Sequence, residues 1–141
     1  NHSEHRLRLD EINFLVTKAK KLDLITLVCA DVPETGAAVA VLKPNIIAVE
    51  PPELIGTGIA VSKAKPEVVT NSVDLIRSVN KDVIILTGAG ISTSDDVDAA
   101  IRLGTSGVLV ASAIMKAKDP EKVIRDMAQA AYKAWERYRK M

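Results

Sequence analysis

Ile46-Ile47-Ala48-Val49-Glu50-Pro51-Pro52-Glu53-Leu54-Ile55-Gly56-Thr57-Gly58 decides how this chain is read. A short apolar run ends in a carboxylate. Two prolines follow at once, and then a loop bearing glycines. An unbroken apolar run bounded by such breakers reads as a buried strand. Prolines restrict the backbone at Glu50 and just after it. One acidic side chain is thus aimed by a stiff support at the carboxyl end of a strand. Above it, Leu54 to Gly58 reads as a lid tip, apolar enough to exclude water and glycine-jointed enough to move.

The same unit recurs on both sides. Upstream, Asp10 is expected to cap a helix running to Leu22, with Ile12, Leu15, Val16, Ala19 and Leu22 on one face. Leu24 to Cys29 is nearly continuous apolar and β-branched, the pattern of a parallel strand covered on both faces. Pro33 opens a short Ala-rich helix to Leu42, and Lys43-Pro44-Asn45 ends it. Downstream, Pro66 starts a helix over 65–79, Val83 to Leu86 is a strand, and Thr87-Gly88-Ala89-Gly90-Ile91-Ser92-Thr93 is a glycine loop. Ser94 is expected to cap a helix over 95–103. Val108 to Val110 is a fourth strand, Ala111-Ser112-Ala113 a small-residue turn that starts a single helical turn, and Asp119-Pro120 caps the last helix. The basic tail, Trp135 to Met141, is expected to fray.

Strand and helix alternate four times in units of similar length. That predicts an α/β class with right-handed βαβ units and a parallel sheet. An open doubly wound sheet fits, and so does part of a (β/α)8 barrel, which complete needs about 250 residues. In both, function sits in the loops at the carboxyl ends of the strands. The loops around Gly56 and Gly88 lie there.

Composition narrows the rest. At 141 residues, 48% of them apolar, the chain reads as one folded domain spanning 1–141 with its own core. Only 3% are aromatic, so the core is aliphatic. With 19 basic and 18 acidic residues the net charge is +1, which gives no argument for nucleic-acid or membrane binding. The single cysteine, Cys29, reads as a buried structural thiol and fits a reducing, cytoplasmic compartment. No apolar stretch reaches the ~20 residues of a membrane span. No Cys/His spacing suggests a metal, and no cofactor is expected. The chain opens without Met on a polar segment, Asn1-His2-Ser3-Glu4, which suggests a fragment or a processed chain.

Gly88-Ala89-Gly90 and Val110-Ala111-Ser112-Ala113 leave backbone amides unshielded on adjacent strands, at one end of the sheet. Exposed amides suit an anion, phosphate above all. Neither loop has a nucleotide-binding fingerprint, and each alone also reads as a plain turn. Glu50 also reads as a solvated loop carboxylate, and His2 as a solvated side chain near a terminus.

Together these segments resemble the triosephosphate isomerase family. Ala48-Val49-Glu50-Pro51-Pro52-Glu53-Leu54-Ile55-Gly56-Thr57-Gly58 is similar to its catalytic glutamate and lid. Asn1-His2-Ser3-Glu4 is similar to its histidine loop, and the segments at Gly88 to Gly90 and Val110 to Ala113 to its phosphate loops. The Asn-His-Ser-Glu and Glu-Pro-Pro-Glu versions resemble archaeal members. The resemblance implies the C-terminal portion of a TIM barrel, with four parallel strands and flanking helices. It implies Glu50 as the base that moves a proton between C1 and C2 of a triose phosphate, and His2 as the electrophile. It implies phosphate held by Gly56, Gly88, Ala89, Gly90, Ala111 and Ser112. This family is itself the standard example of a glutamate base beside a neutral histidine under a closing lid. The family's catalytic lysine, carried on its first strand's loop, has no counterpart here. The expected partners are therefore an N-terminal half-barrel or another copy, in a homo-oligomer such as a dimer or tetramer, and the chain alone is expected to be inactive. Alternatives are another phosphate-binding (β/α)8 enzyme and a non-catalytic half-barrel scaffold.

Overall fold

Four short strands, β1 (Leu27–Ala30), β2 (Ile46–Val49), β3 (Ile84–Thr87) and β4 (Gly107–Val108), lie side by side in chain order in a computed structural model of the protein. All neighbours are parallel, in the register Leu27 to Ile46, Ile46 to Ile84 and Leu86 to Gly107. The structure describes His2 and residues 4–138. Asn1 and Ser3 of the histidine segment and residues 139–141 of the expected basic tail lie outside the described residues. The helices are α1 (Leu9–Lys21), α2 (Pro33–Ala40), α3 (Val61–Ala64), α4 (Pro66–Val79), α5 (Ser94–Arg102), α6 (Ser112–Met115) and α7 (Pro120–Tyr138).

Burial alternates along β1 and β3. Val28, Ala30, Ile47, Val49 and Ile85 are sealed in one core with Ile12 and Val16 of α1, Val39 and Ala40 of α2, and Ile76 of α4. A second core joins Val97 and Ile101 of α5 to Met127 and Ala134 of α7. On the other face of the sheet, Leu27 is 40% and Ile84 46% exposed. The expectation of strands covered on both faces is therefore corrected: helices cover one face only. The sheet order never reverses, so it has no switch point of the doubly wound kind. One-sided helices on a consecutive parallel sheet are the arrangement of a barrel wall, with the open face as its interior.

Several boundaries move. Asp10 is not the cap of α1. Arg8 holds that place, with its amide donating to Glu11 Oε2 at 2.7 Å, and Asp10 lies in the first turn paired with Arg8. Thr93 rather than Ser94 caps α5, its Oγ1 accepting from the Asp96 amide at 3.3 Å. Asp119 does cap α7, accepting from the Lys122 amide at 3.0 Å. The strand expected over 24–29 begins only at Leu27, which pairs with the first residue of β2. Leu24 and Ile25 precede it, 57% and 77% exposed. Leu15 of α1 and Leu22 just after it likewise face outward, at 50% and 69%.

Candidate active site

Glu50 leaves β2 with its amide fixed by the Ala30 carbonyl at 2.8 Å. Pro51 behind it is buried, and Pro52–Leu54 winds into a 3-10 turn. The stiff support read from the two prolines is thus a turn seated by buried Leu54. The glutamate is only 9% exposed, and its Oε2 is buried with no hydrogen-bond partner among the described residues. A carboxylate in that position is held away from water at a cost. A buried polar atom left unsatisfied calls for a reason, and a catalytic role is one.

His2 faces it. The Glu4 amide donates to His2 Nδ1 at 3.2 Å. With Nδ1 an acceptor, this bond assigns the proton of the neutral ring to Nε2. Nε2 stands 4.0 Å from Glu50 Oε2. The chain that follows His2 is anchored by Arg6, whose Nη1 donates to Asp31 Oδ2 at 2.6 Å, just beyond β1. Burial opposes ionisation of Asp31, but hydrogen bonds from Arg6, Thr35 and the main chain together outweigh it and hold that carboxyl below its usual value.

Gly88 lies beneath the glutamate, its amide bonded to the Val49 carbonyl at 3.0 Å. Thr87, fully buried, donates its hydroxyl to the same carbonyl at 3.1 Å. Ala89 and Gly90 then take left-handed φ values of 64° and 74°. That turn presses against the far side of the lid: Val61 N donates to the Ala89 carbonyl at 3.2 Å. A side chain at Gly90 would lie 1.9 Å from the Ile59 carbonyl oxygen. The lid tip is free by contrast. Gly56 and Gly58 both have φ of 75°, with nothing within 4 Å of where a Cβ would stand. Glu53 and Lys65 pair across the base of the lid.

These pieces enclose a cavity of about 250 Å³ lined by His2, Cys29, Glu50, Gly56, Ala89, Gly90, Ala111 and Ser112, with the apolar Ile55, Ile91, Leu109 and Val110 between them. Every candidate residue but Gly88 lines it, and Gly88 is the floor under Glu50. Ala111 caps α6 and Ser112 is its first residue, and the amide at such a first position has no acceptor within the helix.

Sequence reasoning missed Cys29. It is half-buried rather than a sealed structural thiol, and it lines the cavity. Burial first, and then the neighbouring Glu50 carboxylate, push its thiol up to about 12. The signal was in the register: Cys29 pairs with Ala48, two residues before Glu50 and so on the same face. Lys63 and Asp96 were missed as well. They join the lid to the glycine loop, and only the spacing from Thr93 to Asp96 hinted at Asp96 as part of a cap. Among the described residues no group of three or more His, Cys, Asp or Glu is placed to hold a metal. No helix among them is long and apolar enough to cross a membrane.

In fold alone, the chain is similar to a thiamine phosphate pyrophosphorylase from Pyrococcus furiosus (TM-score 0.67, 18% identity, covering 87% of this chain and 55% of that one). It is also similar to the Amycolatopsis orientalis BexX/CysO complex (TM-score 0.71, 20% identity, 94% and 50%). In sequence it is 57% identical over 129 residues to a triosephosphate isomerase of Caldivirga maquilingensis, covering 92% of this chain and 57% of the relative. It is 53% identical over 137 residues to that of Sulfolobus acidocaldarius, covering 97% and 59%. Against that of Methanothermus fervidus it is 53% identical over 127 residues, covering 90% and 57%. The chain thus spans somewhat over half the length of these archaeal relatives. The family model described as triosephosphate isomerase matches residues 1–130, a stretch that contains the glutamate, the histidine, the lid and both amide loops. By that match and by the barrel-wall fold beneath it, the chain belongs to the triosephosphate isomerase family.

Proposed function

We propose that the cavity is the active-site portion of a triosephosphate isomerase, which interconverts glyceraldehyde 3-phosphate and dihydroxyacetone phosphate. Glu50 removes the proton from C1 or C2 and returns it to the other carbon, while the hydroxyl proton passes between the two oxygens at His2 Nε2. The observation that carries this reading is the buried, unpartnered Oε2 of Glu50, facing His2 Nε2 at 4.0 Å. An Oε2 that accepts no hydrogen bond among the described residues is free to take a carbon-bound proton. An N–H donor opposite it suits the oxyanion that forms as the proton leaves. The amides at Gly90, Ala111 and Ser112 hold the phosphate, and Gly56 closes over it.

The reading assigns the lysine of the reaction to a segment beyond the part of the relatives that this chain matches. Partner and activity go together: the open sheet face and the free edge of β1 receive that segment, and the charge of the enediolate is neutralised from it. The test is turnover of glyceraldehyde 3-phosphate by the chain alone and by the chain co-expressed with the corresponding remainder of an archaeal relative. The expected result is no turnover alone and turnover on complementation, abolished by Glu50→Gln. Full activity from the chain alone would sink the lysine assignment. A folded, complemented pair without activity would sink the function.

A further inference from the structure

Asp96 is 3% exposed and lies outside the cavity, yet its carboxylate joins the two loops that close it. Oδ2 accepts from the Ser92 amide at 3.0 Å, the Thr93 amide at 2.9 Å and the Ser92 hydroxyl at 3.3 Å. Oδ1 receives Lys63 Nζ at 2.6 Å. Its main-chain carbonyl accepts from Ser62 Oγ at 3.3 Å. Ser92 and Thr93 continue the glycine loop that carries Gly88 to Gly90. Ser62 and Lys63 belong to α3, where the lid rejoins the scaffold.

Capping α5 explains only part of this. The exchange between Thr93 and Asp96 satisfies the start of that helix. It does not require a cation reaching over from the lid, nor a serine from the same turn bonded to the same residue. Lys63 is 54% exposed at its side chain and Asp96 only 4%, so the cation stays half in water while it neutralises a buried carboxylate. What the pair does fix is geometry. With Val61 N on the Ala89 carbonyl and Gly90 against Ile59, it completes a set of contacts that lock the lid's end to the glycine loop.

We propose that Asp96 and Lys63 are positioning residues: the pair holds the lid's end in register with the Gly88–Gly90 loop, so that the lid tip closes on the anion those amides bind. The proposal rests on the phosphate role given above to that loop. Lys63→Met keeps the length of the side chain and removes the cation. The test titrates the full chain with inorganic phosphate and follows the amide resonances of Gly56, Gly90 and Ser112, with melting measured in parallel. The expected result is a folded chain with a modestly lowered melting transition, phosphate binding weakened roughly fivefold, and recovery of the phosphate binding in Lys63→Arg. A folded Lys63→Met chain that binds phosphate as the unsubstituted one does overturns the proposal. So does one that fails to fold, since Lys63 is then structural. An unsubstituted chain whose Gly90 and Ser112 amides ignore phosphate fails in the absence of any substitution. That result removes the phosphate reading itself.

Discussion

Gly88 and Glu50 occupy the same space: a Cβ on Gly88 would stand 2.2 Å from Glu50 Oε1 and 2.8 Å from its Cδ and Cγ. The glycine is required by the glutamate's side chain, not by its own backbone, which is not left-handed. Gly88→Ala is therefore expected to fold, with a stability loss within about 1 kcal/mol, because a side-chain end can swing aside. The glutamate then leaves its place opposite His2. In the complemented enzyme the expected loss is about a hundredfold in kcat. Equal stability with unchanged kcat would show that the carboxylate's observed place is not the working one.

Gly90 is the contrasting case. Its φ of 74° disfavours any side chain, and the atoms a Cβ would meet are the Ile59 carbonyl and the Ala60 nitrogen, both main chain. Main chain cannot swing aside as a carboxylate can. Gly90→Ala is expected to cost about 2–4 kcal/mol in chemical denaturation, several times the cost at Gly88. A variant as stable as the parent would mean that the lid's end is not held against this loop in solution.

Asp96 makes acid stability predictable. Its burial raises the pKa, but hydrogen bonds from Lys63, Ser92 and Thr93 outweigh that and bring it from 3.8 to about 2. The folded-state value lies below the unfolded one. The stabilisation is therefore complete above about pH 4 and is lost as the pH falls towards 2, with a size of about 2 kcal/mol. Denaturation from pH 5 down to pH 2 should show that extra loss in the parent and not in Asp96→Asn. Parallel curves for the two proteins would remove the carboxylate from the account.

Much of this was legible in the sequence, and the limits have physical causes. Glu50, Pro51 and Pro52 act through local backbone restriction, so their placement could be read in isolation. The amide loops at Gly90 and Ser112 were legible for the same reason. Strand alternation gave the parallel sheet, but not which face is covered, because Leu27 and Ile84 are as apolar as Val28 and Ile85. Only the packing of α1, α2 and α4 separates them. Arg6 with Asp31, and Lys63 with Asp96, join residues 25 and 33 positions apart, pairs that no local pattern marks. The caps shifted because Arg8 serves through its backbone while Asp10 turns to the arginine side chain, a competition that residue preference does not resolve.

The open edge gives the last prediction. Among the described residues β1 pairs only with β2, so its other side is a sheet edge. Leu22, Leu24 and Ile25 stand exposed just before it, and Leu15 of α1, which lines a hollow with Ile25, is 50% exposed. Apolar side chains next to an unpaired strand edge are a template for association. The chain alone is therefore expected to self-associate with rising concentration in sedimentation velocity. Ile25→Lys should weaken that association without lowering stability, because Ile25 is 77% exposed and contributes little to the core. In the complemented pair the same substitution should instead weaken the union of the two segments, since the edge is then filled. A parent chain that stays monomeric at every concentration would show that the edge is closed by other means, and would count against a complementing strand at β1.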